Sequence, residues 1–232
     1  MRDTEREEIQ LLENLFEYII PKYREAHDIL VSMLDFPMTN EALFADLGCG
    51  FGELSKHILY VFSSARIYGI DSNRDILQRC SERLKDFKDR FIPLEKDLNK
   101  QDWSEELEAL DGVVSSFTLD YLPFERHKSL IGESYNLLKP QGRWVSCEFF
   151  QTADPRVHRV FHDVEIQFIQ NALKEELITK EQVDLLAESR ILRKTHHVCT
   201  VDTKVEWLRA AGFDKVDVPW RFLSFAVLSA VK

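Results

Sequence analysis

The sequence predicts an α/β protein built on a parallel β-sheet covered on both faces, and three observations carry that reading. From residue 42 onward, apolar runs near 42–47, 67–70, 91–94, 111–116 and 143–149 alternate with amphipathic stretches, which is the rhythm of strand and crossover helix. Three of the eight glycines fall within five positions of "ADLGCGFGEL", residues 45–54, immediately after the first run. Acids stand at the ends of the second and third runs, Asp71 in "RIYGID" and Asp97 in "FIPLEKDLNK". With 232 residues, 44% hydrophobic and 30% charged, the chain has the composition of one sizeable core with an appended cap.

The elements follow in order. Ile9, Leu12, Leu15, Phe16 and Ile19 repeat at helical spacing up to Pro21, and Ala26, Ile29, Leu30, Met33 and Leu34 repeat up to Pro37, so two helices precede the first strand. Leu54, Ile58, Val61 and Phe62 form the apolar side of the helix after the glycines. Pro123 suits a first helical turn, and the helix carrying Ile131, Tyr135 and Leu138 should end at Lys139-Pro140, ahead of a strand from Arg143. Residues 151–194 break the rhythm with the helical stripe Val157, Val160, Phe161, Val164, Phe168 and a second helix opened by Thr179 with Gln182 three residues on, a capping-box arrangement. A last helix through Val205 and Leu208 stops at Gly212, and Phe213–Val218 with Phe222–Val231 reads as an antiparallel pair. The expected organisation is a helical cap at 1–40, a ligand-binding core at 41–150, a helical insertion at 151–194 that forms a cap over the second reactant, the acceptor, and the rest of the core at 195–232.

A glycine-rich turn between a first strand and a helix lets a nucleotide-like ligand lie against the backbone. The dinucleotide fingerprint would place a small residue at position 53, which holds Glu53, an acid that would oppose a pyrophosphate at that helix end. The spacing therefore suits a ligand without phosphates. Asp71 can accept both hydroxyl protons of a ribose, and Asp97 can accept from an adenine amino group. Adenine, ribose and a phosphate-free tail describe S-adenosylmethionine.

On "FADLGCGFGEL", "IYGID", "PLEKDL", "DGVVSSFTLDYL", "LLKPQGRWVSCEFF" and "WLRAAGFDKVDV", in that order, residues 42–232 resemble the class I S-adenosylmethionine-dependent methyltransferases. The resemblance implies a doubly wound, Rossmann-like seven-stranded sheet of order 3-2-1-4-5-7-6 with the last strand antiparallel. It also implies that Asp46, Gly48, Cys49, Gly50 and Gly52 lie against the methionine portion, Asp71 with Ser72 against the ribose, Asp97 with Leu98 against the adenine, and Ser115 or Ser116 against the central part. Where many small-molecule members read "LHHL", this chain has Leu119-Asp120-Tyr121-Leu122. The closing "PWRFLSFAVLSAVK" is similar to that of enzymes making carboxy-S-adenosylmethionine for transfer RNA wobble modification.

Asp120, Tyr121 and Glu148, just past the fourth and fifth strands, are the candidates for orienting or deprotonating an acceptor. Phe16, Tyr18 and Tyr23 are candidates to close over the sulfonium by cation–π contact. Cys49 reads as a small filler within the loop. His158, His162 and Glu165 share a helical face, but a polar flank beside the apolar stripe explains them better than contact with the acceptor pocket or a metal, and no metal site is assigned. A net charge of −10 works against nucleic acid as a partner, and the four scattered cysteines fit a reduced, cytoplasmic compartment. No run is long enough to span a bilayer. The expected protein is a monomer or homodimer that methylates a small molecule. Synthesis of carboxy-S-adenosylmethionine, transfer RNA modification and cofactor binding without turnover are the alternatives.

Overall fold

The computed structural model describes residues 15–38, 41–188 and 197–232; Ile9, Leu12, His196 and the end of the 151–194 insertion lie outside them. Its strands are β1 (Leu43–Leu47), β2 (Arg66–Asp71), β3 (Phe91–Glu95), β4 (Leu110–Ser116), β5 (Leu138–Phe149), β6 (Asp214–Phe222) and β7 (Phe225–Val231). They form one seven-stranded sheet of order β3-β2-β1-β4-β5-β7-β6. The first five run parallel, and β7 runs antiparallel to both β5 and β6. This is the expected order and hand of pairing.

The described helices are α1 (Phe16–Ile19), α2 (Tyr23–Ser32), α3 (Glu53–Val61), α4 (Arg74–Arg83), α5 (Phe124–Leu137), α6 (Pro155–Lys174), α7 (Lys180–Glu188) and α8 (Val201–Ala210). Side chains alternate along each strand, so neighbours divide between the two faces. Phe44, Val114, Val145 and Cys147 pack with Leu30 of α2, Ile58 of α3 and Cys80 of α4. Ala45, Val113 and Trp144 pack on the other face with Leu130 of α5 and Leu208 of α8. With helices on both faces, all five residues of β1 and all seven of β7 are buried, which is why those strands read as continuous apolar runs. A third cluster, Leu15, Phe51, Ile76, Ala172 and Ile178, joins the leading segment to the end of α6 above the glycine loop.

Two boundaries differ from the sequence expectation. Helix α5 ends at Leu137, and β5 begins at once at Leu138 instead of Arg143, with a register shift against β4 between Leu110 and Gly112. The final turn falls after Phe222, so β6 runs straight through Pro219. Proline lacks the N–H a central ladder needs, but β6 is the outermost strand and its pairing with β7 is already interrupted on either side of Asp217. The opposite edge strand, β3, carries Pro93. At the start of α7 the capping box is reciprocal: Gln182 N–H donates to Thr179 Oγ1 at 3.1 Å, and Thr179 N–H donates to Gln182 Oε1 at 2.8 Å. Among the described residues no helix is long and apolar enough to cross a membrane.

Candidate active site

A cleft of about 630 Å³ opens at the carboxyl ends of β1–β4. Its floor is the turn after β1. Gly48 N–H and Cys49 N–H both donate to the Ile70 carbonyl, at 2.8 and 2.9 Å, and so tie the turn to the end of β2. Gly48 has a φ of 72°, and a Cβ there would lie 2.0 Å from Thr118 Cγ2. Only glycine allows the loop to lie under the segment after β4, where Thr118 Oγ1 donates to the Gly48 carbonyl at 3.1 Å. Gly50, with a φ of 52°, has no atom within 4 Å of where its Cβ would be, so its bare backbone faces open cleft.

Asp71 bridges this floor to the next wall. Its Oδ2 accepts Gly50 N–H at 3.1 Å and its Oδ1 accepts Asn73 N–H at 2.8 Å. Asp71 also lines the cleft. Asn73, beside Ser72, supplies the N-cap of α4. Beyond β3, Asp97 and Leu98 line the cleft, and Arg126 of α5 fixes their segment by donating to the Leu98 carbonyl at 2.6 Å and to the Lys100 carbonyl at 2.8 Å. Asp46 is fully buried beneath the floor and accepts from Ser55 Oγ at 2.7 Å. Burial, opposed by the Ser55 hydrogen bond and reinforced by the Asp71 charge, raises its pKa to about 7. Cys49 lines the cleft with its thiol pushed up by a hydrogen bond with Cys80 and by burial, which suits a filler and not a nucleophile.

The opposite wall comes from α2 and the segment after β4. Tyr23 stacks on Phe117, with centroids 5.8 Å apart, and its ring lies 4.2 Å from that of His27. Burial pushes the Tyr23 phenol far up. His27 Nε2 lies 2.7 Å from Ser116 Oγ, and both residues line the cleft. Burial, then the His57 charge, lowers the His27 pKa to about 3. Tyr121 lines the same wall, with its phenol pushed up to about 12 by burial and by Asp120. Phe16 also reaches the cleft, whereas Tyr18 does not.

Besides Tyr18, four of the candidates lie elsewhere. Gly52 caps α3 with a φ of 82° and packs on Cys80, behind the loop. Ser115 is buried in the sheet and donates to the Leu47 carbonyl at 2.8 Å. Asp120 is 2% exposed, and its backbone carbonyl accepts His197 N–H. Glu148 stands near the end of β5 as expected, but on the wrong face. It shares the parity of Trp144 and Ser146, which look toward α5 and α8, whereas Cys147 shares the face of α2 and α3. There it accepts from Ser146 Oγ at 2.6 Å and from Lys204 Nζ at 2.8 Å, and Lys204 also meets His127 Nε2. His158 and His162 are exposed on α6, away from the cleft, and among the described residues no group of three potential ligands could hold a metal.

The sheet order is that of the class I S-adenosylmethionine-dependent methyltransferase fold, and residues 44–142 match a family described as "Methyltransferase domain". A curated relative from Histophilus somni, named carboxy-S-adenosyl-L-methionine synthase, is 22% identical over 226 residues, covering 96% of this chain and 90% of its own. Among solved structures, magnesium protoporphyrin IX methyltransferase from Synechocystis PCC 6803 with bound S-adenosylmethionine aligns over 99% of this chain and 92% of its own, at 16% identity and a TM-score of 0.63. Human N-acetylserotonin methyltransferase in complex with S-adenosylmethionine aligns over 98% of this chain at 16% identity and a TM-score of 0.64; the chain spans 56% of that protein's length. These structural likenesses show the fold.

Proposed function

We propose that the protein transfers a methyl group from S-adenosylmethionine to a small-molecule acceptor. The observation that carries the reading is the Asp71–Gly50 bridge. It sets a carboxylate beside a backbone bared by glycine, on the floor of a cleft large enough for a nucleoside and a second reactant. Asp71 would hold the ribose, Asp97 and Leu98 the adenine, and the Gly48–Gly50 backbone with Asp46 the methionine portion. The cofactor supplies a methyl carbon already made electrophilic by the sulfonium. The protein's own work is to align the acceptor, exclude water and receive a proton where the acceptor carries one. Tyr23 and Phe117 give an aromatic wall suited to a sulfonium or a flat acceptor, and Tyr121 presents a phenol that stays protonated at neutral pH.

The near full-length relationship to a carboxy-S-adenosylmethionine synthase favours a second reading, carboxylation of the cofactor itself. Such a product needs a cation for its new carboxylate. Of the cations lining the cleft, Arg24 pairs with Glu17, Arg83 with Glu53 and Lys96 with Glu106, whereas Lys56 lines it as well, so a test of the product separates the two readings. The net charge of −10 supports a small molecule over transfer RNA, and the free cysteines agree with a cytoplasmic protein, monomeric or homodimeric. Incubation with methyl-labelled cofactor and a metabolite extract tests the reading. Label on a small molecule is expected; a carboxylated cofactor would establish the second reading, and binding without turnover would remove both.

A further inference from the structure

Helix α2 delivers one polar side chain to the cleft that neither the glycine floor nor the Asp71 wall uses. His27 lies on the buried face of α2 between Ala26 and Leu30, in a position that packing alone would give to an aliphatic residue. Its Nε2 instead meets Ser116 Oγ at 2.7 Å, at the carboxyl end of β4, and both residues border the cleft. Ser116 is part-buried, and its carbonyl accepts from Thr118 Oγ1 at 3.1 Å, which fixes the backbone that carries it. The titratable groups facing the ring are Tyr23, one turn earlier on α2, and His57 of α3, which itself lies 3.6 Å from Asp28.

We infer that Ser116 and His27 form a proton-accepting pair that selects an acceptor with a neutral hydroxyl, phenolic or enolic, and takes its proton during methyl transfer. The inference rests on the methyl-transfer reading. With Nε2 unprotonated, Ser116 donates its hydroxyl proton to the ring, and its oxygen lone pairs are turned outward to receive the acceptor's O–H. The acceptor oxygen is thereby oriented, and its own lone pair is left for the methyl carbon. In the reaction the acceptor O–H bond breaks and an O–CH3 bond forms, while the C–S bond breaks with its electron pair going to sulfur. The proton passes to Ser116 Oγ as the serine proton passes to Nε2, and the imidazolium then releases it to water.

The charges are consistent with this path. A protonated ring would set a second positive charge beside the sulfonium in a poorly hydrated cleft, so the resting ring must be neutral. Discharge of the sulfonium removes that opposition as the proton arrives, so the cleft carries one positive charge before and after. Carboxylate acceptors are already ionised, thiols ionise readily and neutral amines attack before losing a proton. A buried relay is most useful to a hydroxyl.

Two variants, His27→Gln and Ser116→Ala, test the pair with three readouts. Calorimetry with S-adenosylhomocysteine should give His27→Gln an affinity within about twofold of the parent, and failure of the parent itself to bind would remove the cofactor reading. In nitrogen-15 spectra of the histidine rings, the signal lost in His27→Gln should report an unprotonated, hydrogen-bonded Nε2 from pH 5 to 8, and that hydrogen bond should vanish in Ser116→Ala. A proton on Nε2, or a ring that titrates in this range, would overturn the pairing even if methyl transfer stands. With methyl-labelled cofactor and a metabolite extract, the parent should place label on a hydroxyl oxygen as a base-stable ether, and both variants should lose about a hundredfold in rate. Label on carbon, sulfur or a carboxylate, or full turnover by both variants, would refute the inference. Bound cofactor with no transfer by the parent would refute the methyl-transfer reading itself.

Discussion

At the scale of single residues, Asp71 and Asp46 do different things with the same functional group. Asp71 stays at the cleft surface and spends two acceptor positions on backbone N–H groups, so its removal loosens the floor as well as the ribose contact. Asp71→Ala should weaken S-adenosylhomocysteine binding by about 1.5–3 kcal/mol, or tenfold to a hundredfold, in calorimetry. An unchanged affinity would move the ribose elsewhere. Asp46 holds its proton in the folded protein up to about pH 7, whereas the unfolded chain releases it near 3.8. Its protonation therefore stabilises the fold fully below about pH 4, and that contribution is lost as pH rises through 7. Asp46→Asn mimics the protonated form, so its melting temperature relative to the parent should climb between pH 4 and pH 8 in the absence of cofactor. A flat difference across that range would contradict the buried assignment. The residue that sequence reasoning missed is His27. The repeat Ala26, Ile29, Leu30, Met33 identifies the helix, but nothing in it says that position 27 meets the end of a strand 89 residues further on.

Among the elements, α5 reaches across the sheet to control a loop it does not contain. Arg126 donates to the carbonyls of Leu98 and Lys100 and is held at 2.7 Å by Glu133, which also accepts from Trp103 Nε1. The segment proposed to meet the adenine is thus positioned from one helix. Arg126→Ala should lower cofactor affinity about threefold to tenfold with little change in thermal stability, since it removes hydrogen bonds to charged donors at a partly solvated edge. Equal affinity in the variant would make the clamp purely structural. Elements were legible where their signal is local: the glycine turn, the reciprocal Thr179–Gln182 cap and the alternation of strand and helix. What is not local was missed. Glu148 has the right distance along β5 and the wrong parity, because a strand buried on both faces gives no polar-apolar alternation from which to read which way a side chain points. The turn expected at Pro219 failed for a related reason, since a proline ends a central strand but not an outermost one.

For the whole molecule, the Glu148–Lys204–His127 network sets charged groups inside the apolar layers, with Glu148 and Lys204 side chains 3% and 0% exposed. Burial lowers the Lys204 pKa while Glu148 pulls it back up. Lys204→Met leaves the carboxylate buried without its cation, which should cost about 3–5 kcal/mol in denaturant unfolding, and adding Glu148→Leu should recover most of that loss. Additive losses in the double variant would show that the two groups do not act as a pair. The sheet order came through in the sequence because the motifs occur in a fixed succession, whereas this network joins β5, α5 and α8 from residues 127, 148 and 204 and leaves no pattern along the chain. The two border strands have a consequence for life at high concentration. Pro93 and Pro219 each remove a backbone donor from an outer strand, so neither outer strand carries a complete row of N–H groups, a composition that works against zipping onto a neighbouring chain. Restoring the donors with Pro93→Val and Pro219→Val should increase light scattering on refolding from urea while leaving cofactor affinity intact.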